Sequence, residues 1–135
     1  MNTQANIETI KSIYAAFGRG DVPSILERLH PEVEWELEGR DIGVPWLRPG
    51  RGHEAALAFF QGLGALDFKE FHVHAVMGEG PWVVGLCRVD AVHRTTGKRL
   101  YEGFETHIWR FDDAGRITAM RHGADTQQHA EVAGL

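Results

Sequence analysis

The sequence predicts an α+β fold in which three N-terminal helices pack on one side of a curved mixed or antiparallel β-sheet. Two observations predict this arrangement. Apolar residues recur at helical spacing in the first part of the chain, and alternating strand-like runs joined by glycine-containing turns follow residue 69. Helices and hairpins that are segregated along the chain are typical of α+β proteins. The length of 135 residues and a hydrophobic content of 43% fit one domain spanning residues 1–135.

The first helix is predicted over residues 3–18, where Tyr14 and Phe17 belong to one apolar stripe. The segment "GRGD" ends this helix, and Asp21 is the expected N-cap of the second helix. The segment "HEAALAFFQGL" predicts a short third helix with Phe60 facing inward.

Between the second and third helices, "EVEWELEG" alternates apolar and acidic residues, which predicts a half-buried strand. We expect Val33, Trp35 and Leu37 to face the core, and the alternating glutamates to face solvent. A loop containing Trp46 follows. The remaining strands are predicted at residues 69–77, 82–94, 99–111 and 116–124.

The net charge of −5 argues against nucleic acid as a partner, because phosphate-binding surfaces normally carry a basic excess. No apolar run approaches about 20 residues, so no membrane span is expected. The N-terminal segment lacks the pattern of a signal peptide, and the single Cys87 excludes an internal disulfide. These features predict a cytoplasmic protein.

Three strings carry a family resemblance over nearly the whole chain: "IYAAFGRGDVPSILERLHPEVEW", "GRGHEAALAFFQGL" and "ETHIWRFDDAGRITAMRHGAD". They resemble the nuclear-transport-factor-2-like superfamily, and most closely its SnoaL-like polyketide cyclase and ketosteroid isomerase branch. The resemblance implies a cone around an apolar cavity, a small apolar molecule as partner, no cofactor, and a homodimer formed through the outer sheet face.

The resemblance further implies acid/base chemistry of the isomerase, cyclase or dehydratase type on an apolar cyclic or aromatic carbonyl compound. The alternative is a non-catalytic module of the same fold that binds a hydrophobic ligand or dimerises. Because fold does not determine function, the site residues must separate these possibilities.

By resemblance, the catalytic candidates are Tyr14, His107 and Asp125. Tyr14 matches the tyrosine with which the isomerases donate a hydrogen bond to a developing oxyanion. Their catalytic aspartate on the first strand is matched by Leu37, which cannot take a proton. His107 matches their second acid, and a histidine there can act as acid, base or hydrogen-bond donor. Asp125 matches an aspartate that serves as acid and base in the cyclases.

Glu105 lies two residues before His107 on the same predicted face, so it either orients the imidazole or sits in water at the cavity mouth, where we expect it. His72 and His74 alternate outward from the core, so we expect no metal there. The predicted substrate-binding residues are Phe17, Trp35, Leu37, Trp46, Phe60, Glu105, Trp109, Met120 and His122.

Overall fold

The computed structural model describes residues 2–135 and confirms the α+β fold. The helices are α1 (Thr3–Gly18), α2 (Val22–Leu26), α3 (Gly52–Gly62) and α4 (Thr126–Val132). The strands are β1 (Leu29–Trp35), β2 (Gly50–Arg51), β3 (Leu66–Glu79), β4 (Trp82–His93), β5 (Arg99–Phe111) and β6 (Ile117–Gly123). Within the described residues, no helix is long and apolar enough to cross a membrane.

The six strands form one mixed sheet in the order β2-β1-β6-β5-β4-β3. Strands β3 to β6 form an antiparallel meander, and β1 joins β6 in parallel. Strict alternation of buried and less buried residues along β4 shows that one sheet face carries the core. Helix α1 packs on β3 and β4, and α3 packs on β1, so the helices cover that face.

Most predicted boundaries of the helices and strands are confirmed, because local hydrophobic periodicity determines where these elements begin and end. Helix α1 and strand β5 have the predicted ranges, and Asp21 is the N-cap of α2. The sequence analysis missed β2, which has two residues, and α4, whose seven residues contain little apolar periodicity.

The end of the first strand differs from the prediction. Regular β-structure stops at Trp35, and both Glu36 and Glu38 adopt a φ of 56°. Gly39 N–H donates to the Glu36 carbonyl oxygen at 2.8 Å, which closes a turn after the strand. The alternation therefore fails after Trp35, and Glu36 is 6% exposed instead of facing solvent.

The sheet also exposes several large apolar side chains on β3, β4 and β5. Phe104 is 75% exposed, and Met77, Trp82 and Tyr101 are also exposed. A homodimer formed through the outer face of the sheet stays a prediction.

Candidate functional site

A cavity opens between the helices and the concave sheet face, and its walls are mostly aromatic and aliphatic. Of the predicted residues, ten line it: Tyr14, Phe17, Trp35, Trp46, Phe60, Glu105, His107, Trp109, Met120 and His122. An apolar cavity that holds a few converging polar groups is the usual form of a small-molecule site.

The first polar pair in the cavity joins α1 to β5. The Tyr14 hydroxyl lies 2.8 Å from His107 Nδ1, and both side chains are buried. The Trp109 indole N–H also donates to the Tyr14 oxygen, at 3.4 Å. Gly85 of β4, which pairs with His107, leaves the space that the Tyr14 hydroxyl occupies.

Glu105 lies beside this pair, not at the mouth as expected. Its carboxylate is buried, and Oε1 is 3.8 Å from His107 Nε2. Burial works against the charged form, but His107 and the nearby histidines outweigh it and lower the pKa of Glu105 to about 2. Burial likewise opposes protonation of His107, yet Tyr14, Cys87 and Glu105 together raise its pKa well above the ordinary value.

The burial of Tyr14 is the main reason that its pKa is raised. A protonated His107 donates from Nδ1, so the Tyr14 oxygen then accepts hydrogen bonds from both His107 and Trp109. The proton of the Tyr14 hydroxyl is left to donate to a ligand.

The second polar pair joins the turn after β1 to β6, and sequence reasoning missed its acid. Glu36 Oε2 is 2.6 Å from His122 Nδ1, and Glu36 Oε1 accepts from the backbone N–H of His122 at 2.9 Å. Burial alone would raise the pKa of Glu36, but the hydrogen bonds and charge of His122 lower it below the ordinary value. An ionised carboxylate only accepts hydrogen bonds, so His122 donates from Nδ1 and its Nε2 has no protein partner among residues 2–135.

The two pairs meet on the sheet face. His107 and His122 are directly opposite each other on β5 and β6, and their ring centroids are 4.9 Å apart. Directly opposed side chains of antiparallel strands are close neighbours. The register of β5 and β6 therefore brings His107 and His122 together. The left-handed backbone at Glu36 places its carboxylate beside His122.

Two predicted residues do not line the cavity. Leu37 lies past the end of β1, where its N–H donates to the Met120 carbonyl at 3.0 Å, so Glu36 and not Leu37 supplies the group at this end of the strand. Asp125 is the exposed N-cap of α4, and its Oδ1 accepts from Gln128 N–H at 3.2 Å. Because the capping carboxylate is held outside the cavity, we assign Asp125 no part in the chemistry.

A third polar group closes another part of the cavity wall. The Trp46 indole N–H donates to His129 Nδ1 at 2.8 Å, and His129 Nε2 lies 3.0 Å from Glu102 Oε2. Tryptophan can only donate, so Nδ1 of His129 accepts and Nε2 donates to Glu102. Both ring nitrogens are therefore engaged, which indicates a structural role in fixing α4 and the Trp46 loop.

One lining side chain has an unpaired donor. Trp35 is 2% exposed, and its indole N–H is buried without a hydrogen-bond partner in the described part of the chain. An unsatisfied buried N–H costs about 1–3 kcal/mol.

Fold and cavity define a cone-shaped α+β protein with an internal, mostly apolar cavity. Residues 10–120 match the family model of the SnoaL-like domain, so the chain belongs to the SnoaL-like family. A search of curated proteins found no match.

Solved structures of the same fold include three similar proteins. A nuclear-transport-factor-2-like protein from Burkholderia thailandensis E264 is 27% identical, covers 98% of each chain and has a TM-score of 0.81. Bal32a from a soil-derived mobile gene cassette is 25% identical over 96% of this chain and 97% of its own, with a TM-score of 0.79. TerC, co-crystallised with polyporic acid, is 26% identical over 96% of this chain and 98% of its own, with a TM-score of 0.73.

Proposed function

We propose that this SnoaL-like protein catalyses proton transfer on a small apolar cyclic or aromatic carbonyl compound, using its own side chains as acid and base. One observation carries the proposal: the Tyr14–His107 pair and His122, which Glu36 holds by hydrogen bonds, lie together in a cavity with mostly apolar walls. A neutral carbonyl compound suits such walls, because burying an uncompensated charge would be costly.

Tyr14 is the proposed donor to the carbonyl oxygen. His107 and Trp109 both direct hydrogen bonds at its oxygen, so its own proton is available where negative charge develops. A preorganised donor that stabilises an oxyanion contributes on the order of 10²–10³ in rate. His107, with its raised pKa, places positive charge next to that oxygen and supports the donation.

His122 is the proposed base. Glu36 holds it through Nδ1, which leaves the Nε2 lone pair to remove a proton from the carbon next to the carbonyl. The resulting imidazolium is stabilised by the Glu36 carboxylate, as in other carboxylate–histidine pairs. Return of the same proton to another carbon gives isomerisation, and its delivery to a leaving hydroxyl gives dehydration.

One further observation supports the proposal. Glu36 is a non-glycine residue in the left-handed region, and such strain, about 1–3 kcal/mol, tends to persist at functional sites. That TerC was crystallised with polyporic acid makes this compound a reasonable first probe.

The test uses NMR to measure hydrogen–deuterium exchange at the carbon next to the carbonyl. The substrates are a panel of small cyclic ketones and aryl ketones. We expect the wild-type protein to accelerate exchange for at least one class, and Tyr14→Phe to lose about 10²–10³ of that rate. Glu36→Gln and His122→Gln should each lose about 10²–10⁴.

Tyr101→Phe and His72→Gln are matched controls, because both side chains are exposed and outside the cavity. Exchange that is equal in wild type, Tyr14→Phe, Glu36→Gln and His122→Gln would contradict the proposal. A ketone that binds and stabilises the folded protein without exchanging its protons would favour the alternative, a module that only binds its ligand.

A further inference from the structure

We propose that Glu105, His107 and His122 also form a binding site for a divalent first-row transition metal ion, with Zn²⁺ as the working example. One candidate ligand atom from each residue lies within 4.8 Å of the other two. All three side chains line the cavity. Two imidazoles and one carboxylate are a common ligand set for zinc and for non-haem iron, with positions left open for a further ligand.

Both histidines already form a hydrogen bond through Nδ1. His122 donates from Nδ1 to Glu36 at 2.6 Å, and His107 Nδ1 is bonded to the Tyr14 hydroxyl at 2.8 Å. The nitrogen left for a metal is therefore Nε2 in each ring, and Nε2 of His107 already faces Glu105 Oε1 at 3.8 Å. Metal-binding histidines are typically oriented in this way by a carboxylate or another acceptor on the second nitrogen.

Charge balance favours a dication in this cluster. Glu36 and Glu105 are both buried, and each carboxylate carries one negative charge when ionised. A metal ion bound at Nε2 displaces the proton of that nitrogen from His107, so both imidazoles are neutral in the complex and the four side chains sum to −2. Because buried charge is costly unless compensated, a divalent ion would neutralise the cluster.

The second group of possible ligands, Glu102, Glu105 and His129, does not offer the same site. His129 accepts from the Trp46 indole through Nδ1 and donates to Glu102 through Nε2, so neither ring nitrogen has a free lone pair. The hydrogen bonds thus single out the cluster that contains His122.

Binding requires a small closure of the three side chains. A tetrahedral ion with bonds of about 2.1 Å holds its ligand atoms about 3.4 Å apart. The separation of Glu105 from His107 is already close to this value. The bound ion would occupy His122 Nε2, the lone pair of the proposed base, so metal binding and the proposed proton transfer exclude each other.

The experiment is titration of chelator-treated protein with Zn²⁺ by calorimetry and with Co²⁺ by visible absorption, both without substrate. We expect one equivalent of metal and a Co²⁺ ligand-field band. Both should be lost in Glu105→Gln and in His122→Gln. Glu36→Gln should retain the site but weaken it about 10–100-fold, because it changes only the group behind His122.

A double variant, His72→Ala with His74→Ala, controls for metal at the alternating histidines of β3, and circular dichroism checks that every variant is folded. Absence of binding to wild type would overturn the inference. So would binding that survives both Glu105→Gln and His122→Gln, or that is lost only in the His72 and His74 variant. None of these results depends on the proposed function, since only the ion is measured.

Discussion

Gly85→Ala tests whether the Tyr14 hydroxyl sits where the cavity geometry places it. Gly85 lies on β4 opposite His107, and its backbone has no positive φ, so alanine brings no backbone strain. A Cβ at this position would lie 2.7 Å from Cζ and 2.9 Å from Cε2 of Tyr14, and would overlap the hydroxyl oxygen. The Tyr14 ring must therefore move and leave His107.

Two effects determine how much Gly85→Ala should lower the free energy of unfolding. Overpacking a core position costs about 1–3 kcal/mol. Loss of the buried Tyr14–His107 hydrogen bond adds about 1 kcal/mol. We predict that Gly85→Ala lowers the free energy of unfolding by about 2–4 kcal/mol, and that it reduces proton exchange to the level of Tyr14→Phe.

The assay is urea unfolding of a double-mutant cycle with Tyr14→Leu, which removes the outer ring atoms and the hydroxyl. In that background Gly85→Ala should cost less than about 1 kcal/mol, because contacting residues are energetically coupled. Gly64→Ala is the control, since nothing lies within 4 Å of its added Cβ. An equal cost of Gly85→Ala in both backgrounds would refute the placement of Tyr14.

Three other predictions concern the surroundings of the site. Asp125→Ala should lower the free energy of unfolding by about 0.5–2 kcal/mol through loss of the α4 cap and leave proton exchange unchanged, whereas a large loss of exchange would restore Asp125 to the chemistry. Trp46→Phe should cost about 1–3 kcal/mol, because His129 Nδ1 loses its donor, and a neutral effect in urea unfolding would contradict that hydrogen bond. Hydrogen bonds from the Ser24 hydroxyl and N–H lower the pKa of Asp21, so its stabilising effect is present above about pH 3.8 and is lost as the pH falls through the lowered pKa. Ser24→Ala should raise that pKa in a carbon-13 NMR titration, and an unchanged value would be evidence against this capping interaction.

The parts of the site that the sequence could predict are those that local periodicity determines. Helical spacing turned Tyr14 toward the core, and the alternation of β5 turned His107 and Trp109 to the same face. The predicted pairing of the last two strands is confirmed, and it brings His122 opposite His107. In these cases the direction of a side chain follows from the period of its own element.

The rest of the site depends on backbone and contacts that no local pattern specifies. Glutamate has no preference for a φ of 56°, so "EVEWELEG" gave no signal that Glu36 turns inward toward His122. The partnership of His129 with Trp46 and Glu102 spans 83 and 27 residues of sequence, respectively. Only the folded chain brings such groups together.

The most direct measurement is the carbonyl carbon-13 NMR shift of a labelled cyclic enone, such as 2-cyclohexen-1-one, bound to wild type and to Tyr14→Phe. Hydrogen bonding to the carbonyl oxygen polarises the bond and moves this resonance downfield. We expect a downfield shift in wild type that is lost in Tyr14→Phe and kept in the Tyr101→Phe control. A bound carbonyl whose resonance is the same in wild type and Tyr14→Phe would contradict the proposal that Tyr14 holds the substrate oxygen.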